Sequence, residues 1–330
     1  MVAHPADERT GRYAAHDMRG VRNTTDGIQV LDVPAVDPAD GLVRVRVRAA
    51  GICGSDLHLI EWGPMPVILG HEFAGVLDDG TEVAVQPQTP CLTCDRCLAG
   101  DEHLCRTQLD RAHGVTIDGG LADEVLVDPR SVVVLPDGVA IDDAGLVEPV
   151  AVAVHGVNIA AIEPGQRVLV VGGGSIGLCA AAVLGHRGAT VDLVARHPHQ
   201  VAAGERLGAG RSLIDEYDVV IDAAGTQAAV DQAFERVRPG GTVVAMATYW
   251  SPVQVGLAMT SKEVRFVSSM TYGCHSGRRE FADAAEVLAA ATELPGALIT
   301  HRFGLDDAAE AFRVAGDRAA GAIKVQVSPG

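Results

Sequence analysis

Cys91, Cys94, Cys97 and Cys105 fall within a single span of fifteen residues. Four thiolates so close together suit a tetrahedral all-sulfur cage, and the metal that such a cage favours is zinc, closed on every side and structural. A pair of disulfides is the rival, but the chain shows no secretory leader and so no sign of an oxidising compartment. An iron–sulfur cluster takes the same ligands, yet the spacing lacks the ferredoxin run and its proline.

A second donor set leaves a coordination position open. Gly51-Ile-Cys53-Gly-Ser55-Asp-Leu-His58 is followed by Gly70-His71-Glu72. Cys53 and His71 are good zinc ligands, and with one carboxylate they leave a fourth position for water or a substrate oxygen. Glu148, in Val147-Glu148-Pro149, and Glu72 compete to be that carboxylate.

A third motif is built for phosphate. Val168-Leu-Val-Val171 runs into Gly172-x-Gly174-x-x-Gly177 and then into a helical pattern. In that context Gly172 allows a tight turn, Gly174 lets a pyrophosphate approach the backbone, and Gly177 lets helix and strand pack closely. The N–H groups near Ser175 and Ile176 are placed to hold the phosphate at the helix start. The next strand ends at Arg196-His197, whereas Asp192 sits too early in it to reach a ribose. An arginine at that point pairs with a 2′-phosphate, so Arg196 and His197 favour NADP(H) over NAD(H).

The elements that must position these groups follow from periodicity. Leu42-Val-Arg-Val-Arg-Val-Arg-Ala49 alternates with period two, the mark of a strand buried on one face. Further short strands, Val67 to Leu69, Phe73 to Leu77, Glu82 to Gln86 and Ser131 to Leu135, predict a β-rich, barrel-like domain nearly free of helices. After Asp142 the texture changes to a helix over Ala144 to Ile162, then strands alternating with helices, which predicts a doubly wound parallel sheet. The tail, with helix Asp306 to Val314 and strand Ala322 to Val327, fits either half. The fold class is therefore α/β with a second, β-rich domain.

Taken together, these motifs resemble the zinc-dependent medium-chain alcohol dehydrogenase family, nearest its polyol and threonine dehydrogenase branch. The resemblance covers about residues 19–326. It includes Asp118-Gly-Gly-Leu-Ala122 and Gly321-Ala-Ile-Lys-Val325 as well as the three motifs above. It implies a GroES-like catalytic domain over 18–148, resumed by 295–330, and a Rossmann domain over 149–294; residues 1–17, polar and interrupted by Pro5, read as a loose extension. It also implies two zinc ions per chain, a catalytic one on Cys53, His71 and Glu148 with Glu72 beside it, and a structural one on the four clustered cysteines. Ser55 matches the family's hydroxyl relay residue and His58 the histidine that carries the proton onward.

Composition narrows the partners. A net charge of −17 repels a phosphate backbone, which argues against nucleic acid. The apolar run from Val168 to Gly185 is broken by glycines, which argues against a membrane span. The expectation is a cytoplasmic homodimer or homotetramer acting on a small alcohol or carbonyl compound, with NAD(H) as the alternative cofactor. From another class, the alternative is a non-catalytic zinc-binding interaction protein. Glu61 and Trp62 suggest a pocket with one polar and one apolar wall, and Trp62, Tyr249 and Trp250 are candidates for its lining or for structural anchors. Cys179 and His155 read as core residues, and Cys274-His275 is one pair rather than a site. The two lysines, Lys262 and Lys324, carry no functional expectation.

Overall fold

The computed structural model describes residues 13–36, 38, 41–317 and 319–330. Strands β1 (Tyr13–Thr24) and β2 (Gly27–Val36) form an antiparallel pair. Of the loose extension expected over 1–17, residues 1–12 lie outside the described residues. β1 corrects the remainder, because β2 is long enough to pair with it from Tyr13.

β3 (Val43–Ile52) leads through Cys53 into α1 (Gly54–Glu61), and β4 (Glu72–Leu77) and β5 (Glu82–Val85) follow. A lobe with α2 (Asp95–Leu98) precedes β6 (Glu124–Val127) and β7 (Val132–Val134). In β3 the expected alternation is realised, with Val45 and Val47 buried and Arg46 and Arg48 exposed. Two expectations for this half are corrected. α1 is a helix where almost none was expected, nucleated because Asp56 at its third position turns back to bond the Cys53 N–H at 2.9 Å. Val67–Leu69 is not a strand: Leu69 bonds Val21 on one side, and Ile68 and Leu69 accept from Gly119 and Leu121 on the other, a stretch too short and irregular to make a ladder.

The second half begins with α3 (Val147–Ile159), shorter than expected because Ile141–Leu146 is a 3-10 turn. The turn is followed by β8 (Arg167–Val171), α4 (Ser175–His186), β9 (Thr190–Val194), α5 (Pro198–Arg206), β10 (Tyr217–Asp222) and α6 (Gln227–Arg236). β11 (Val237–Ala245), α7 (Leu257–Ser261), β12 (Arg265–Ser268) and the short pair β13 (Cys274–His275) and β14 (Arg278–Arg279) complete this stretch. α8 (Glu280–Ala290) and α9 (Leu294–Leu298) lead to β15 (Ile299–Gly304), α10 (Ala308–Gly316) and β16 (Lys324–Ser328).

Two sheets organise the molecule. One runs β12-β11-β10-β8-β9, parallel throughout, with β8 at the point where strand order reverses and where α/β sheets bind ligands. The other runs β15-β16-β3-β4-β5-β7, with β6 also on β3. The tail thus adds β16 antiparallel to β3, pairing Val325 with Ile52. α3 is buried along nearly its whole length and packs on α8, α4 and β4. Among the described residues no helix is long and apolar enough to cross a membrane.

Candidate active site and metal centres

The junction of β3 and α1 delivers the first donor, Cys53, and the start of β4 delivers the next two, His71 and Glu72. Their ligand atoms lie within 4.8 Å of one another. β3 and β4 pair Gly51 with Glu72, and a Cβ on Gly51 would stand 2.0 Å from Glu72 Oε2. Glycine is required there to leave room for the carboxylate. Asp56, fully buried, lies beneath the cluster: Oδ2 accepts the Cys53 N–H, and Oδ1 is 3.1 Å from His71 Nδ1. With Nδ1 facing that carboxylate, Nε2 is the nitrogen left for a metal. Burial works against a charge on His71, but Asp56 and Cys53 outweigh it and hold the imidazole well above its ordinary value until a metal displaces the proton.

Lys324, from β16, places Nζ 2.6 Å from both Glu72 oxygens and 3.3 Å from the Ile52 carbonyl. Burial alone would lower its pKa; Glu72 and Cys53 raise it above the ordinary lysine value. Glu148, at the start of α3, is buried but is not a member of the donor group. Its Oε1 accepts from the Tyr272 hydroxyl at 3.0 Å. Burial first, and the neighbouring Glu72, push the Glu148 carboxyl up to about 7. Sulfur, imidazole and carboxylate donors that converge over a supporting aspartate fit a zinc ion.

Ser55 and His58 lie one turn apart on α1, on the same face. Ser55 Oγ is 3.4 Å from His71 Nε2. His58, partly exposed, has Nδ1 3.6 Å from Glu61 and its ring 4.3 Å from that of Trp250, which in turn meets Trp62 edge-on at 6.0 Å. Tyr249 turns away and donates to Asp222 at 2.9 Å.

The four clustered cysteines are brought together with no disulfide among them. Cys91 and Cys97 sulfurs are 3.9 Å apart and those of Cys94 and Cys97 3.5 Å. A regular tetrahedron with bonds of about 2.3 Å has edges of roughly 3.8 Å, so the cage already has the dimensions of a zinc–sulfur site. The hydroxyl and amide of Thr93 and the amide of Cys94 lower Cys91 to about 5, whereas burial, with the neighbouring sulfurs, pushes Cys97 up to about 12. Four thiolates cannot share this space without a cation.

At the end of β8, Gly172 takes φ +119°, and a Cβ on Gly177 would fall 1.8 Å from the Gly172 carbonyl oxygen. A Cβ on Gly174 would meet nothing, because it would project into a cleft of about 290 Å³. Arg196 and His197 line that cleft beside the glycine turn. Ser175 and Ile176 open α4, with N–H groups that have no partner within the helix; the Ser175 hydroxyl donates to the Ile323 carbonyl at 3.2 Å. A second hollow, about 220 Å³, continues from Gly174 and Ser175 to Cys53, Glu72 and Lys324. The two share Gly174, Ala223, Ala315 and Ala322, so one cleft joins the glycine turn to the donor cluster.

Asp192, excluded from the ribose end by its place in the strand, is buried and accepts from the Tyr217 hydroxyl at 2.8 Å. Cys179 is a core residue of α4, and His155 is bonded to Glu280 at 2.7 Å. Asp56, Tyr272 and Lys324 escape the sequence reading. The scarcity of lysine is the signal for one of them: Lys324 neutralises Glu72, while Lys262 bonds three carbonyls, of Phe234, Glu235 and Val237.

Comparison with known proteins bears on the whole chain. Residues 39–137 match the alcohol dehydrogenase GroES-like domain, and residues 141–328 match the glucose dehydrogenase C-terminus. L-galactonate-5-dehydrogenase of Escherichia coli is 31% identical over 309 residues, 83% of this chain and 88% of that protein. D-xylulose reductase A of Aspergillus oryzae is 31% identical over 309 residues, 82% of this chain and 85% of its own. The structure of a zinc-binding dehydrogenase from Sinorhizobium meliloti, bound to NADP, superposes with a TM-score of 0.83 at 30% identity, covering 95% of this chain and 99% of that one. The chain belongs to the zinc-dependent medium-chain alcohol dehydrogenase family. Within that family it is similar to the polyol dehydrogenases, and it is a zinc- and nicotinamide-dependent oxidoreductase of small alcohols.

Proposed function

We propose that the chain catalyses reversible hydride transfer between a secondary alcohol or polyol and NADP(H), with one catalytic and one structural zinc ion per chain. The observation that carries this reading is the single cleft that runs from Arg196 and His197 past the glycine turn to Cys53 and Glu72. Zinc would supply Lewis acidity to a substrate oxygen, and the nicotinamide would accept or return the hydride. Cys53, His71 and Glu72 would hold that zinc, with Glu148 across the site as the exchanging carboxylate. Cys91, Cys94, Cys97 and Cys105 would hold the structural one.

The chain's own groups handle the proton. Ser55 Oγ takes it from the substrate hydroxyl, and His58, at the edge of the cleft, passes it towards solvent. Gly172, Gly174, Gly177 and the N–H groups of Ser175 and Ile176 cradle the pyrophosphate. The absence of a carboxylate from the end of β9, with Arg196 and His197 in its place, favours NADP(H). The GroES-like unit is assigned to 18–148 with 295–330 and the dinucleotide-binding unit to 149–294, in keeping with the return of β16 to β3. Free thiols support a cytoplasmic setting, and the edge of β12, unpaired among the described residues, supports a homodimer or homotetramer.

Elemental analysis, together with a screen of polyols and ketones followed by nicotinamide absorbance, tests the reading. Two zinc ions per chain are expected, with one lost along with activity in Cys53→Ala and the other lost in Cys97→Ser. A single zinc that survives Cys53→Ala would overturn the assignment.

A further inference from the structure

Both tryptophans of the chain, Trp62 and Trp250, meet at the end of α1, beside the histidine assigned to the proton path. His58 and Trp62 stand four residues apart, one in the last turn of α1 and one at its cap, and so share a face. Trp250 lies against both. Its ring centroid is 4.3 Å from that of His58, with the planes tilted by 31°, and 6.0 Å from that of Trp62, edge-on. It reaches them from elsewhere in the fold: α1 follows β3, whereas Trp250 sits in the loop between β11 and α7, so the contact joins the halves of the molecule built on the two sheets.

The loop is held on both sides of Trp250. Before it, the Met246 and Ala247 N–H groups donate to the Asp222 carbonyl at 2.9 and 3.1 Å, and the Tyr249 hydroxyl donates to Asp222 Oδ2 at 2.9 Å. Asp222 is fully buried, and its Oδ1 accepts the Ala224 and Gly225 N–H groups, each at 2.9 Å. Gly225, at φ +65°, lies flush with the loop: a Cβ there would stand 2.9 Å from the Thr248 carbonyl oxygen. After Trp250, the Gln254 N–H and carbonyl bond the Gln227 side-chain amide at 2.7 and 2.9 Å. An indole carried between such anchors has its place set by the parallel sheet rather than by α1.

His58 lacks a comparable anchor on its own helix. Its side chain is 41% exposed, and its contact with the exposed Glu61 is 3.6 Å long, too far for a hydrogen bond and too solvated for a firm ion pair. The second side-chain torsion of histidine is broad, so an exposed imidazole samples several ring orientations. General acid–base catalysis needs one of them, with a ring nitrogen within hydrogen-bond reach of the group it serves.

We infer that Trp250 is a positioning residue for proton transfer: its indole, carried on the loop that Tyr249 and Asp222 anchor, packs on the His58 imidazole and fixes the ring plane in which His58 receives the proton. The inference rests on the proton path proposed above for Ser55 and His58 and adds the group that orients it. The path is then assembled from both halves of the molecule, since α1 supplies the imidazole and the loop after β11 supplies its support.

A double-mutant cycle on the zinc-loaded full-length protein tests this, with the alcohol and nicotinamide that the native protein uses best in the screen above. The single-turnover rate of hydride transfer is expected to fall by about tenfold in Trp250→Leu, part of the roughly 10²–10⁴-fold that a positioned acid–base group supplies. The cofactor dissociation constant and the melting midpoint should not move, and Trp250→Phe should recover most of the rate, because a phenyl ring still offers the imidazole a flat face. Trp250→Leu added to His58→Gln should cost nothing further, since the ring to be positioned is gone. Trp250→Met replaces Trp250→Leu in the cycle if the latter does not fold. Independently of activity, two indoles 6.0 Å apart couple their transitions, so the far-ultraviolet circular dichroism of the native protein should carry an exciton couplet that Trp62→Phe and Trp250→Phe each remove. Losses that multiply in the cycle, an unchanged rate in Trp250→Leu, a loss that comes with weaker cofactor binding, or a native spectrum without the couplet would overturn the role of Trp250 alone. A native rate in His58→Gln would overturn the proton path and this inference with it.

Discussion

Lys324→Met isolates the lysine that, among the described residues, touches the donor cluster. Lys324 and Glu72 expose only 3% and 1% of their side chains, and the ammonium contacts both carboxylate oxygens at 2.6 Å. Methionine keeps most of the volume and removes the charge, which leaves the carboxylate buried without its partner. Breaking one side of such a pair is destabilising by about 3–5 kcal/mol. At about 2–4 °C per kcal/mol for a domain of this size, the unfolding midpoint of chelator-treated protein should fall by roughly 10 °C. Adding Glu72→Gln should restore part of that loss, because the stranded charge is then gone and what remains is a neutral amide. Zinc should also protect Lys324→Met more than it protects the native chain, since a second cation then faces Glu72. A midpoint within about 2 °C of the native protein, or a double variant no more stable than Lys324→Met, would show that the ammonium does not hold this carboxylate.

The remaining predictions concern the cleft. In chelator-treated protein Glu148, with its carboxyl held at about 7 by burial, stays neutral on folding until pH passes that value, so its contribution is present below the usual carboxylate range and lost as pH rises. Urea unfolding at pH 5 and pH 8 should therefore show a drop in stability about 2–3 kcal/mol larger in the native protein than in Glu148→Gln, the raised His71 contributing to both; equal drops in both proteins count against the assignment. Gly177→Ala brings a Cβ against the Gly172 carbonyl, backbone against helix with no flexible atom to yield, and should lose both thermal stability and measurable NADPH quenching. Gly174→Ala opens into free space and should melt like the native protein while still binding NADPH more weakly, because its methyl occupies the phosphate path.

Much of this architecture was legible because its signals are local. The alternation in β3 comes from consecutive residues, and the glycine turn and the cysteine cluster each occupy one short stretch. The missing parts depend on distance or on competing local signals. Lys324 meets Glu72 across 252 positions of sequence, and Tyr272 meets Glu148 across 124. No spacing rule links such pairs. Asp56 was within reach, three residues after Cys53, but it is recognisable only if α1 is recognised, and Gly54 disguises that helix as a turn. Val67–Leu69 reads as a strand because it is apolar, and it fails as one because its bonds to Val21, Gly119 and Leu121 do not build a regular ladder. The choice between Glu72 and Glu148 stood open in the sequence because two carboxylates of the same type border one site from different elements, β4 and α3.

The return of β16 to β3 also has a consequence for how the protein is made. Lys324 follows Glu72 by 252 positions, so Glu72 remains without its counter-ion until that length of chain has been made. The glycine turn and the cysteine cluster precede that point in the chain, but Glu72 gains its counter-ion only with β16. Premature termination just before that strand therefore yields a chain that holds Cys53, His71 and Glu72 but leaves Glu72 without its partner.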